Sequence, residues 1–224
     1  EAVMSVLIES KSTGIGENKN FLIELNIENS RHLEIQLIGN GKWCTELGGR
    51  DCSLQMHEQK LVEVSLTKEM LEHSANEYQK LGKYSQSKVL QNDANQLKSM
   101  SLEAEKFGKA LNLDSVSTFE CIVDKEKHYF MEVNTRIQVE HRVTEMAYKL
   151  KFTNPNDPDD AFFVNSIIAA MLLIDCYGNV LPRPERIINS ISGVEARINA
   201  TNDSLNPHSG GTIFRWSEPN NQEI

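Results

Sequence analysis

Phe130-Met131-Glu132-Val133-Asn134-Thr135-Arg136-Ile137-Gln138-Val139-Glu140-His141 sets acidic, amide and basic side chains on and just after an apolar run. His128 to Val133 reads as a strand, and Glu132 and Asn134, two residues apart, then point to one face. A second strand, Ser117-Thr118-Phe119-Glu120-Cys121-Ile122-Val123, precedes it, and the polar Asp124-Lys125-Glu126-Lys127 between them reads as a hairpin loop. The hairpin brings Glu120 close to the face that carries Glu132. Carboxylates set among Phe119, Cys121, Ile122, Phe130 and Val133 are costly to bury without partners. Two carboxylates with an amide oxygen suit Mg²⁺ or Mn²⁺, which take oxygen ligands together with phosphates and water. Spacing alone fits solvent-facing acids of a half-exposed sheet equally well.

Beyond the strand, Arg136, Gln138 and Glu140 set a guanidinium, an amide and a carboxylate within five residues. A planar guanidinium fork can hold a carbonate or enolate oxygen, and a nearby glutamate can take a proton. A salt-bridged turn is the plainer alternative. A third cluster, from Arg50-Asp51-Cys52-Ser53-Leu54-Gln55 to Lys60, has the donor density for an anion or nucleotide, or is a solvated charged loop. The fourth is Glu195-Ala196-Arg197, with both charges on one strand face.

Upstream, Phe21-Leu22-Ile23-Glu24-Leu25 has strand character, and His32-Leu33-Glu34-Ile35-Gln36-Leu37-Ile38 alternates with period two, as a half-buried strand does. Gly39-Asn40-Gly41 predicts a hairpin turn into a returning strand over 43–47, after which Gly48-Gly49-Arg50-Asp51 opens a polar loop. Residues 67–111 read as two or more surface helices, N-capped by Thr67 and broken near Gly82 or Ser99. Downstream, the pattern predicts a short helix over 144–150 and a polar loop over 154–160. It then predicts an apolar helix over 161–176 ended by Gly178, a strand over 193–200, a turn at 207–211 and a final strand over 212–216.

The composition is that of an ordinary soluble chain: 224 residues, 39% hydrophobic and 25% charged. A net charge of −9 argues against a nucleic-acid reader driven by phosphate neutralisation, while leaving a small anionic substrate open. None of the four cysteines forms a C-x-x-C pair, which disfavours a zinc site or a disulfide scaffold and predicts a reducing cytoplasm. No apolar run is long enough for a membrane span, and the N-terminus lacks the pattern of a signal peptide.

Four stretches, in one order, resemble the biotin carboxylases of acyl-CoA, pyruvate and related carboxylases. They are Glu28-Asn29-Ser30-Arg31-His32-Leu33-Glu34-Ile35-Gln36, the cluster beginning Arg50-Asp51-Cys52-Ser53-Leu54-Gln55, the opening stretch 130–141, and Val194-Glu195-Ala196-Arg197-Ile198-Asn199-Ala200. The third is the most specific. Residues 67–111 and 151–186 match weakly and read as insertions of a divergent branch. The resemblance implies an α+β chain with an ATP-grasp fold fragment. Residues 1–150 would be a partial ATP-grasp domain, lid remainder plus catalytic sheet, with a helical insertion near 67–111. Residues 151–224 would start the biotin carboxylase C-terminal domain.

Carried over by position, the resemblance implies that Glu24 and Ile27 line an adenine pocket and that His32 and Gln55 contact the nucleotide. Glu120 and Glu132, with Asn134 beside them, would bind the Mg²⁺ or Mn²⁺ ions that bridge ATP phosphates. Lys60, Arg136, Gln138 and Val139 would hold bicarbonate, and Glu140 would deprotonate it. Arg136 would also stabilise the biotin enolate, and Arg197 would help bind biotin or the released phosphate. The implied partners are a biotin carboxyl carrier domain and a carboxyltransferase in an acetyl-/propionyl-CoA-type enzyme, with a homo-oligomeric parent. A carbamoyl phosphate synthase-like ligase and a non-catalytic assembly fragment are the alternatives. Two departures stand out: Glu58 holds the place where the family has histidine, with His57 one earlier, and Pro207-His208-Ser209-Gly210-Gly211 matches the family's turn loosely. The family's glycine-rich phosphate loop has no counterpart before residue 28, so the chain is expected to begin inside the lid, stop early and turn over ATP weakly alone.

Overall fold

The computed structural model describes residues 4–5, 25–56, 59–125, 127–189, 192–199, 211–212 and 214–215. In chain order the elements are β1 (Arg31–Asn40), β2 (Cys44–Met56), β3 (Gln59–Leu66), α1 (Lys68–Lys80), α2 (Tyr84–Ala110), β4 (Asp114–Val123), β5 (His128–Asn134), α3 (His141–Ala147), β6 (Tyr148–Asn154), β7 (Asp157–Val164), α4 (Ile167–Tyr177), β8 (Glu185–Ile188) and β9 (Val194–Ala196). Six strands form one antiparallel sheet in the order β5-β4-β1-β2-β3-β9, and β7-β6-β8 form a second.

The central strand β1 organises both sides of the large sheet. Leu33, Ile35 and Leu37 point one way and pack with Phe119, Cys121 and Val123 against Leu97, Met100 and Ala104 of α2. Gly108 lets α2 approach this closely, since a Cβ there would stand 2.5 Å from the Cys44 sulfur. His32, Glu34, Gln36 and Ile38 point the other way. Ile38 enters a second core with Leu47, Leu150, Phe152, Val164, Ile167 and Ile174, which joins β6, β7 and α4 to the large sheet. Glu34 and Gln36 are buried as well, so β1 is covered on both faces and the reading of a half-buried strand is corrected.

The predicted polar loop at Gly48-Gly49-Arg50-Asp51 lies inside β2. A register shift against β1 falls here, at Gly48 with φ +79° beneath the Tyr148 ring, and Gly49 leaves room for Leu97. Thr67 caps α1 as expected, accepting from the Met70 N–H, and the helical break falls at Gly82, with α2 continuous through Ser99.

The short helix ends at Ala147 and gives way to β6, because Tyr148, Leu150 and Phe152 alternate into the core. The expected loop at 154–160 is a tight hairpin turn followed by β7, which extends through Ala161-Phe162-Phe163-Val164, and α4 begins later, with Ser166 accepting from the Ala169 N–H. The 193–200 strand is confined to Val194–Ala196. Residues 212, 214 and 215 are not in a strand; 213 and 216, like 207–210 and 21–24, lie outside the described residues. All four cysteines are free, and no described helix is long and apolar enough to cross a membrane.

Candidate functional site

Strand register assembles the site. On the polar face of the large sheet, Glu132 of β5 stands opposite Glu120 of β4, Glu120 opposite Glu34 of β1, and Glu34 opposite Arg50 of β2. Three carboxylates in one line would repel one another, and two of them are buried, so cations must answer them. Arg50 is wholly buried and donates to Glu34 Oε1 at 2.5 Å, Gln36 Oε1 at 2.9 Å, Thr144 Oγ1 at 2.7 Å and Gln138 Oε1 at 3.0 Å. Lys60 Nζ reaches Glu34 Oε2 at 2.6 Å and Glu140 Oε1 at 2.7 Å, and stands 3.7 Å from Glu120.

These contacts set the charges. Burial works against the Lys60 charge, but Glu34 and then Glu140 more than reverse it, and its pKa is raised. Burial would push Glu140 up, but the Lys60 hydrogen bond and charge hold it below the usual carboxylate range. For Glu120, burial is likewise outweighed, by His32, Lys60 and Gln138, and the carboxyl is held at about 2. His32 Nε2–H donates to Glu120 Oε2 at 2.7 Å, while its Nδ1 accepts from the Gln55 amide at 2.6 Å.

Of these residues His32, Gln55, Lys60, Glu120, Glu132 and Glu140 line a cleft of about 320 Å³. Every residue the sequence assigned to the site borders it except Glu24 and Ile27. Glu24, like His57 and Glu58, lies outside the described residues, and Ile27 is half-buried just before β1. The assembled residues take different parts. Gln138 is committed at both ends of its amide, accepting from Arg50 and donating to Glu120 at 2.8 Å. Arg136 and Val139 are exposed at the cleft, and Arg136 Nη1 donates to the neighbouring Ile137 carbonyl at 3.3 Å. Arg197 Nη2 stands 3.9 Å from Glu140 Oε2.

The donor set at Glu120 and Glu132 fits a divalent cation. Asn134 Nδ2 donates to Glu120 Oε1 at 2.7 Å and to Glu132 Oε1 at 3.0 Å, so the two carboxylates already converge on one point. Turning the Asn134 amide over would present its oxygen, completing a hard oxygen set.

Glu34, Gln36, Arg50 and Thr144 carry much of this network; the sequence reading gave Glu34, Gln36 and Thr144 no role and set Arg50 only in a donor-rich cluster for an anion or nucleotide, whereas it is buried against Glu34. Glu34 and Gln36 share the period-two face of His32, which is the signal that would have found them. Arg50 was hidden by the glycines before it, and Thr144 by lying in a short helix.

The model of the carbamoyl-phosphate synthase L chain, ATP binding domain, matches residues 2–92 and 77–153. Urea amidolyase of Saccharomyces cerevisiae is 36% identical over 150 residues, covering 66% of this chain and 7% of its own. Biotin carboxylase 1 of Bacillus subtilis is 36% identical over 142 residues, covering 62% of this chain and 26% of its own. The chain thus spans about a quarter or less of these relatives' length. The biotin carboxylase domain dimer of Hydrogenobacter thermophilus 2-oxoglutarate carboxylase, in complex with MgADP, ADP and bicarbonate, superposes with a TM-score of 0.60 at 30% identity, over 87% of this chain and 36% of that one. The mixed helix and strand architecture is therefore that of biotin carboxylase ATP-grasp structures. The chain belongs to the carbamoyl-phosphate synthase L chain ATP-binding domain family, and its relatives there include biotin carboxylase ATP-grasp ligases.

Proposed function

We propose that this chain carries the catalytic cleft of a biotin carboxylase, which uses ATP and bicarbonate to carboxylate biotin on a carrier. The observation that carries the reading is the polarity of one cleft. Two convergent carboxylates, Glu120 and Glu132, stand at one side, the cations Lys60 and Arg197 flank the carboxylate of Glu140 at the other, and Arg136 lines the same cleft. A nucleotide's phosphates with their cation fit the first side, and a small oxyanion fits the second. His32 and Gln55, joined by a hydrogen bond at the rim, would meet the nucleotide, with Glu24 and Ile27 toward its base.

Bound Mg²⁺ or Mn²⁺ would neutralise charge on the transferring phosphoryl group. The chain's own residues do the rest. Lys60 and the exposed guanidinium of Arg136 hold bicarbonate, with Val139 and Gln138 beside them, and Glu140 takes its proton as a bicarbonate oxygen attacks the γ-phosphorus and ADP departs. Carboxyphosphate then breaks to CO₂ and phosphate. The released phosphate takes the N1 proton of biotin, Arg136 stabilises the enolate oxygen, and N1 takes up CO₂. Arg197 binds biotin or the released phosphate. Positioning and charge neutralisation supply most of the rate. Gln138, tied to Arg50 and Glu120, serves by fixing the two halves of the cleft to each other.

The proposed division sets an ATP-grasp portion at 1–150, with 67–111 as a helical insertion, against the start of a C-terminal portion at 151–224. The family match ending at residue 153 supports it. The partners would be a biotin carrier domain and a carboxyltransferase, in a cytoplasmic homo-oligomer of the acetyl-/propionyl-CoA type. The likeness to urea amidolyase favours urea as the alternative acceptor. The test is ATP cleavage with and without free biotin. Stimulation by biotin that needs bicarbonate and disappears in Glu140→Gln supports the reading, and ATP cleavage indifferent to biotin sinks it in favour of another ATP-grasp ligase.

A further inference from the structure

Glu63 of β3 is wholly buried, and neither of its carboxylate oxygens has a hydrogen-bond donor among the described residues. A carboxylate in that position is costly unless a counter-charge faces it. The counter-charge is Arg197, whose Nη2 stands 3.6 Å from Glu63 Oε1. The same nitrogen stands 3.9 Å from Glu140 Oε2, so one guanidinium lies between a carboxylate inside the cleft and one behind it. The backbone fixes this arrangement. Glu63 is in register with Glu195 on β9, and the Arg197 N–H donates to the Leu61 carbonyl at 2.8 Å. Neither ion pair is at hydrogen-bonding distance, so opposed attractions hold the guanidinium without locking it.

We infer that Glu63 is the positioning residue for Arg197, drawing its guanidinium away from Glu140 and keeping its donors available at the cleft for an oxygen of biotin or phosphate. This rests on the biotin carboxylase reading. With Glu63 in place, Glu140 pairs chiefly with Lys60 and stays available to bicarbonate. Without the Glu63 charge, Arg197 closes onto Glu140 and both leave their tasks. Burial, and then the Glu140 and Glu195 carboxylates, push the Glu63 carboxyl up, as three acids around one cation require.

The test compares Glu63→Gln and Glu63→Asp in the full-length protein. In biotin-stimulated ATP cleavage, Glu63→Gln is expected to raise the KM for biotin about tenfold, the scale of a lost hydrogen bond from a charged group, with the KM for ATP unchanged. Glu63→Asp should recover most of that loss. A second readout does not need turnover: the Glu140 carboxyl titration followed by carbon-13 NMR. Glu140 is faced by Lys60 and Glu63 from β3, Arg50 and Cys52 from β2, Glu34 from β1 and Arg197 just after β9. Removing the Glu63 charge and closing Arg197 onto Glu140 both favour ionisation, so the Glu140 midpoint should fall. A KM for biotin and a KM for ATP that rise together, or an unmoved Glu140 midpoint, overturns the inference. If the unaltered protein shows no biotin stimulation, the proposed function fails, and the titration still decides the inference: the fall caused by Glu63→Gln should be larger with Arg197 present than in an Arg197→Gln background, and equal falls overturn it.

Discussion

The Lys60 ammonium lies 2.7 Å from the Glu140 carboxylate, which ties the proposed proton acceptor to a cation that also neutralises a wholly buried acid. Lys60→Gln should therefore do more than remove a bicarbonate contact. The Glu140 carboxyl, now held low, should rise toward its ordinary range, and the acid limb of the pH–rate profile should move to higher pH. We expect biotin-dependent ATP cleavage to fall by about 10²–10⁴-fold, the scale of a lost general base. A rate profile with an unmoved acid limb would separate Lys60 from Glu140.

Glu120 gives a stability prediction with a definite sign. Its carboxyl is held at about 2, below the ordinary value of 4.5. A group depressed on folding contributes stability that is fully present above its unfolded value and is lost as pH falls through the folded one. The metal-free protein should therefore lose stability from this group between about pH 4.5 and 2, and Glu120→Gln should show a shallower loss there. Urea melts across that window measure it.

Arg50 is the cation whose removal should unfold the chain most readily. It donates to four side chains from a position with no exposure. Arg50→Met leaves Glu34 with Lys60 alone and should cost about 3–5 kcal/mol by chemical denaturation. Adding Glu34→Met should restore part of that loss, because the pair is coupled. Full additivity of the two substitutions would contradict the network.

The cation site is tested by Mg²⁺ itself. Calorimetric titration of Mg-ATP should show heat that Glu132→Gln reduces, with metal affinity lowered by more than the ~10–100-fold typical of losing an outer partner. Removal of divalent ions with a chelator should abolish ATP cleavage, and added Mg²⁺ should restore it. Equal affinity in Glu132→Gln would place the ion elsewhere.

A packing prediction concerns α2. Gly108→Ala would set a methyl 2.5 Å from the buried Cys44 sulfur and force the helix off the sheet, costing about 1–3 kcal/mol in a thermal or urea melt. No change in stability would show that α2 docks more loosely than the contacts of Leu97 and Met100 indicate.

Local pattern made part of this fold legible. Period-two alternation marks β1, two apolar runs about a polar turn mark the β4–β5 hairpin, Thr67 marks the start of α1, and the hairpin sets Glu120 close to the face of Glu132 and Asn134. What escaped depends on partners far along the chain. Glu34 and Gln36 look solvent-facing until Arg50 arrives from β2, and Arg50 looks like loop until Gln138 and Thr144 arrive from around α3. The run 161–176 is apolar on both sides of Asn165-Ser166, and a short apolar strand cannot be told from a buried helix by periodicity, so its first four residues read as helix although they pair with β6 before Ser166 caps α4. Glu63 gave no signal at all, since its meaning comes from β9.

The row Glu132, Glu120, Glu34 and Arg50 takes one charge from each of four adjacent strands. Sliding any of those strands by a single residue would turn its charge to the opposite face, where α2 and the apolar core lie. An acid would then be stranded in hydrocarbon, or a neighbour would lose its answer. Electroneutrality along that line thus acts as a proofreader of strand alignment, and a chain that has assembled this cleft has, by the same act, certified that its sheet is correctly threaded.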